Sequence, residues 1–212
     1  MAETISDFAV GMGRRKHIAL ELKGHAPFTA FGALLGLVVM GVVHSAGLDP
    51  SASYDAFHIL HPAHLLLSSA VTATMFKRHG GGISASVIVG IVGAIVICTL
   101  SDVALPYLGG AGLGATMAFH FGLVEHPWIV LLPALTGGAI GALILRWTRC
   151  PHAVHVLIST LASLFYLMAF GVVDWIPKLP LVGVVLFVAV WVPCCTSDVV
   201  FPHLFARRAR HR

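Results

Sequence analysis

Apolar residues run along this chain in long blocks of about twenty, broken by short polar interruptions, and not in the alternation of a half-buried strand or the narrow stripe of a soluble helix. Blocks of that length match what a helix needs to cross the hydrocarbon core of a bilayer. The pattern predicts six spans, at about 28–46, 57–76, 84–104, 127–147, 152–171 and 179–201. The ten-residue alternation of an outer-membrane barrel is absent. Between the third and fourth spans lies a glycine-rich apolar stretch around "YLGGAGLGATMAFHFGLVEHPW". Its length suits a re-entrant or interfacial segment, with a seventh span as the alternative.

Composition agrees. Hydrophobic residues make up 58% of the chain and charged residues 10%, against about 25% charged in a soluble domain. The N-terminus, "MAETISDFAVGMGRRKHIALELKG", lacks the layout of a secretory signal. Its residues 3–23 are expected to form an amphipathic surface helix or a partly ordered tail. The formal charge of +4 speaks to orientation, not to nucleic acid. With six spans and a cytoplasmic N-terminus, every Lys and Arg except Lys178 falls on the cytoplasmic side, as the positive-inside rule requires. Seven spans would move Arg146, Arg149 and the basic tail outside. The expectation is an integral plasma (inner) membrane protein with both termini cytoplasmic, and a homodimer by default. The four cysteines are too scattered for a disulfide framework.

Three motifs then recur in the same order. Gly32–Gly36 and Gly137–Gly141 are both G-x-x-x-G, a spacing that lets helices approach closely. His61–Ser68 and His152–Ser159 are both H-x-x-H-x-x-x-S. Cys98–Pro106 and Cys194–Pro202 are both C-x-x-S-D-V-x-x-P. The fold class expected is therefore an all-α integral membrane protein, six transmembrane helices arranged as two inverted three-helix repeats, with a re-entrant or interfacial segment between them. The boundaries are an amphipathic segment (1–26), a first repeat (27–106), a connector (107–126), a second repeat (127–204) and a basic tail (205–212). Inverted repeats are characteristic of secondary transporters, in which exchanging the conformations of the halves opens the opposite side.

In a helix, H-x-x-H places both imidazoles on one face, and a Cys and Asp four apart share a face too. Two clusters follow: an outer one of His61, His64 and Asp102, and an inner one of His152, His155 and Asp198. Further candidates are Cys98 and Cys194 within the clusters, His58 and Cys195 beside them, Ser68 and Ser159 from the repeated motif, and His120 and Glu125 in the connector. Imidazole and carboxylate suit zinc, iron or manganese, and a thiolate tilts the choice toward zinc or copper. The bland alternative is that the histidines meet only interfacial water and the serines only neighbouring helices.

The leading expectation is a transporter or exchanger for a divalent transition-metal ion, zinc first, with proton coupling because ligands must deprotonate to bind. Its partners are the bilayer and a metal ion or small solute. The alternatives are an intramembrane zinc-dependent hydrolase using Ser, His and Asp, a haem-binding electron-transfer protein, and a structural membrane protein. No nucleotide loop, nucleophile elbow or H-E-x-x-H is present.

Overall fold

A backbone amide in hydrocarbon finds no water, so an apolar chain satisfies its own N–H and C=O groups by winding into helices. The computed structural model follows this rule. It describes the backbone of residues 14–47, 50–78, 80–144 and 149–206, and the side chains of 23, 26–47, 51–78, 80–144 and 154–194. The elements are α1 (Arg14–Ser45), α2 (Pro50–Arg78), α3 (Ile83–Thr99), a π-helical turn (Leu100–Ala104), α4 (Leu105–Gly112), β1 (Thr116–Met117), α5 (Gly122–Glu125), α6 (Pro127–Leu143), α7 (Arg149–Phe170), β2 (Gly171–Val172), a 3-10 turn (Ile176–Lys178) and α8 (Leu179–Ala206).

Among the described residues, four stretches are long and apolar enough to cross a membrane: Ala26–Ser45, Ser51–Arg78, Ile83–Gly112 and Ile176–Cys194. Pro127–Leu143 and Val154–Phe170 are shorter apolar helices. Several elements run longer than the hydropathy blocks suggested. Residues 14–23 belong to α1 itself rather than to a separate surface helix. The third helix continues through the π turn and α4 to Gly112, taking up the start of the expected connector. Its continuity has a simple cause: Pro106 sits in the first turn of α4, where a missing N–H is tolerated. The helix ends at Gly114, whose φ of +78° is a left-handed conformation open to glycine.

Two helices form the centre. On α1, α3, α6 and α8 rows of large apolar side chains point outward, among them Phe31 and Val38, Val92 and Val96, Leu132 and Leu135, and Val184 and Val188. On α2 and α7 the buried positions are instead rich in Ser and Thr, including Ser68, Ser69, Thr72, Thr74, Ser159, Thr160 and Ser163. Helix α6 packs on α2 and α3, and α1 packs on α7 and α8. Each half's first helix thus rides on the second and third helices of the other half.

The G-x-x-x-G motifs lie in these seams. A Cβ at Gly137 would stand 2.1 Å from the Leu66 carbonyl oxygen, and one at Gly141 equally close to that of Ala70. Gly32 and Gly36 face Thr160 and Leu164 of α7. The hydroxyl of Ser69 donates to the Ala134 carbonyl (2.6 Å), and that of Thr74 to the Gly141 carbonyl (3.0 Å). Lys77 donates to the Ala142 carbonyl at the C-terminus of α6. Lys178, the one basic residue that broke the charge asymmetry, donates to the Leu113 carbonyl just past α4 (2.7 Å), where a cation offsets the exposed carbonyls of a helix end.

Candidate metal centre

Three histidines at three-residue spacing, His58, His61 and His64, rise along one face of α2. Because α2 is 29 residues long, His64 falls near its middle. Asp102 comes to the same level because its helix does not stop there. Both His61 Nδ1 (2.8 Å) and His64 Nδ1 (2.7 Å) bond to Asp102 Oδ2. The other oxygen, Oδ1, accepts from Ser101 Oγ (2.7 Å) and from Ser159 Oγ of α7 (3.1 Å). Asp102 and His64 are wholly buried. A buried carboxylate is costly unless its lone pairs are met, and here four donors meet them.

The π turn brings Asp102 into this place. The Leu105 amide bonds back to the Leu100 carbonyl, five residues away. In the same register the carbonyl of Ser101 would be served by residue 106, a proline without an N–H. Ser163 Oγ donates to it instead, at 3.0 Å. Widened turns of this kind concentrate at functional sites.

A carboxylate only accepts, so each imidazole carries a proton on Nδ1, and in its neutral form presents Nε2 as a lone pair. His64 Nε2 looks across the interface between the halves. Cys194 Sγ of α8 is 4.0 Å from it, and the His155 ring of α7 lies 4.7 Å away, centroid to centroid. One ligand atom from each of His64, His155 and Cys194 fits within 4.8 Å of the others, and all three residues are buried. A zinc-like ion with bonds of about 2.0–2.3 Å holds its donors roughly 3.3–3.6 Å apart. The trio must therefore draw in by about an ångström to enclose one. Asp102 stands behind His64 and fixes its ring, the position a carboxylate takes behind a histidine that ligates a metal.

This geometry changes the arrangement expected from the sequence. Separate stations for the two halves do not describe these residues: His64, His155 and Cys194 come from both halves and converge. The reason is helix length. Spans taken to end near residues 57 and 104 continue past the motifs, so the motifs sit inside the bundle instead of at its faces. Asp102 also differs from a direct ligand, since its lone pairs are already engaged. Cys98 packs with Leu65, Ala94 and Val130, and Ser68 is buried one turn after His64. The side chains of His152, Cys195 and Asp198 lie outside the described residues.

A second group lies at the N-terminal end of α2, beside the connector. His120 Nδ1 bonds to Glu125 Oε2 (2.8 Å), while the Phe121 amide donates to Oε1 (2.9 Å). His58 Nε2 and His120 Nε2 are 3.2 Å apart. Burial pushes the His120 pKa below its ordinary value, with Glu125 opposing that shift. Glu125 is itself held below the usual carboxylate range, chiefly by the Phe121 amide and then by His120.

Between the two groups stands an aromatic layer. Phe57 stacks on His61 (5.2 Å) and packs against Tyr166 and Phe170, and Phe170 stacks on His120 (4.7 Å). Tyr166 Oη accepts from the His120 amide (3.2 Å) and donates to the Ala118 carbonyl (3.3 Å). The pairing of β1 with β2 anchors this connector to the end of α7. Sequence reasoning passed over Phe57, Ser101, Ser163 and Tyr166. Ser101 lay within the repeated phrase and Ser163 one turn after Ser159, so spacing held a signal for both; nothing in the sequence marked Phe57 or Tyr166.

Comparison with protein-family models, characterised proteins and solved structures gave no match to this chain.

Proposed function

We propose that the protein transports or exchanges a divalent transition-metal ion across the membrane. In this reading six helices cross as two inverted three-helix repeats, with both termini in the cytoplasm. One observation carries it: His64, His155 and Cys194 from both halves meet around one point, with Asp102 orienting His64 from behind. A transporter's site belongs near the midplane, at the interface of its repeats and beside broken helix. The depth of His64 on α2 and the widened π turn at Asp102 support that reading. The reciprocal packing of α1 and α6 supports the repeat. Two imidazoles and a thiol favour zinc over the harder ions iron and manganese. Ligand deprotonation on binding would couple the ion to protons.

The test is zinc entry into proteoliposomes holding a zinc-sensitive dye, with a proton gradient of either sign. Flux is expected in one of the two directions, falling at least tenfold in His64→Ala and Cys194→Ala. Absence of flux under both gradients overturns the proposal. A second reading rests on the three-ligand count, which leaves a fourth position open as in catalytic zinc sites, beside the Ser159 hydroxyl 3.6 Å from Cys194 Sγ. Near-stoichiometric zinc retained through purification, with no flux, would favour that hydrolase.

A further inference from the structure

The two nitrogens that face each other at the end of α2 pose a chemical problem. His58 Nδ1 bonds to the Tyr54 carbonyl (2.9 Å), which only accepts, so the proton of a neutral His58 is on Nδ1. His120 Nδ1 bonds to Glu125 Oε2 (2.8 Å), so its proton is on Nδ1 for the same reason. Both Nε2 atoms are then lone pairs, 3.2 Å apart. Two bare lone pairs repel at that distance; something positive must lie between or beside them. Two imidazole nitrogens bound to one ion at about 2.0–2.1 Å stand roughly 3.0–3.4 Å apart, which includes the spacing here. A third imidazole is close: the His126 ring lies 5.8 Å from that of His58 and 6.0 Å from that of His120. His126 is exposed, and a side-chain rotation would turn its nitrogens toward the pair.

We propose that His58, His120 and His126 form a second divalent-cation site at the end of α2, with the Tyr54 carbonyl and Glu125 fixing the tautomers of the first two. The site takes a borderline ion of the zinc, cobalt or nickel class, through nitrogen donors and water. It contains no sulfur, unlike the buried trio, and stands on its own geometry whether or not ions pass through the deeper site. His58 and His64 are six residues apart on α2, a rise of about 9 Å. His61, bonded to Asp102, and the Phe57 ring stacked on it lie between the two sites.

Cobalt separates the two sites by colour. The full-length protein, without a histidine tag, is titrated with cobalt in detergent at neutral pH as the Cys194→Ala variant, which removes the buried thiol. Visible ligand-field bands are expected without a near-ultraviolet thiolate band. His58→Ala and His120→Ala should each abolish them. Glu125→Gln, which loosens only the support, should weaken binding about tenfold or more. His58→Gln, at a half-buried position, serves as the second variant should His120→Ala fail to fold. No cobalt spectrum at millimolar metal, or bands that persist in the His58 and His120 variants, overturns the proposal. The first result would mean that the pair shares a proton instead. In the unaltered protein, loss of the thiolate band alone would count against the buried trio and leave this site standing.

Discussion

The same pairing of imidazole with carboxylate occurs twice, once buried against the middle of α2 and once in the connector beside its N-terminal end. At His61 and His64 the carboxylate is wholly buried and all of its bonds come from protein. At His120 the Glu125 side chain is 45% exposed and shares its lone pairs with one backbone amide and with solvent. The first arrangement is rigid and expensive to disturb, because every removed donor leaves a buried acceptor unmet. The second is cheaper to remake on its carboxylate side, because water replaces what the half-exposed Glu125 loses. A deep site that must hold one geometry and a surface site that must exchange quickly would be built in these two ways.

The comparison breaks most readily at Asp102. Asp102→Ala leaves two buried imidazoles and two serines without their acceptor, and should cost about 3–5 kcal/mol in unfolding by SDS from mixed micelles. Asp102→Asn is sharper. Its carbonyl can accept from the histidines while its amide donates to the serine hydroxyls, so insertion and folding should survive. The charge behind His64 is lost, and zinc flux should fall tenfold or more. Unchanged flux would detach Asp102 from the site's chemistry.

The seam comes next. Gly141→Ala sets a methyl against the backbone of α2, and should cost about 1–3 kcal/mol by the same SDS unfolding. Gly32→Ala meets only the Thr160 side chain, at 3.0 Å, and should cost less. Equal effects would mean that the α2–α6 seam is no tighter than its counterpart. Ser159→Ala removes one of four bonds to Asp102, at about 1.5 kcal/mol, and leaves the other three in place.

The smallest effect is at the connector pair and is read by pH. Burial lowers the His120 pKa, so the unfolded chain binds its proton more readily than the folded one. The contribution of His120 is then full above the ordinary histidine value of about 6.5 and declines as pH falls below it toward the folded pKa. Nitrogen NMR should find His120 neutral at a pH where an exposed histidine is charged. Glu125→Gln should push its titration lower still, because Glu125 holds it up. A rise instead would show that Glu125 does not hold this ring's pKa up, since His58 and His126, the other titratable neighbours, both act to lower it.

Much of the candidate site was legible in one dimension. The spacing of His61 and His64 required a shared face, and the recurrence of Asp102 with them in two copies singled it out. What spacing did not reveal was the partner across the interface. His155 was grouped with His152 and Asp198, yet its ring lies against His64, and Ser159 serves the carboxylate of the opposite half. Local periodicity reports which residues share a helix face. It carries no information on which foreign face they meet.

The sequence by itself determined that the chain is helical and apolar enough for membrane, because hydrocarbon leaves the backbone no other partner than itself. It also determined which residues recur and on which helix faces they lie. Only the tertiary structure decided that α2 and α7 are central, that the two sets of motifs converge, and that Asp102 orients a histidine instead of offering its own oxygens. The physical reason is that depth and pairing depend on where helices end and how closely they approach. Those depend on a proline placed where its missing amide does no harm, on a π turn, and on glycines facing backbone in another helix, each of which acquires its meaning only from what it touches.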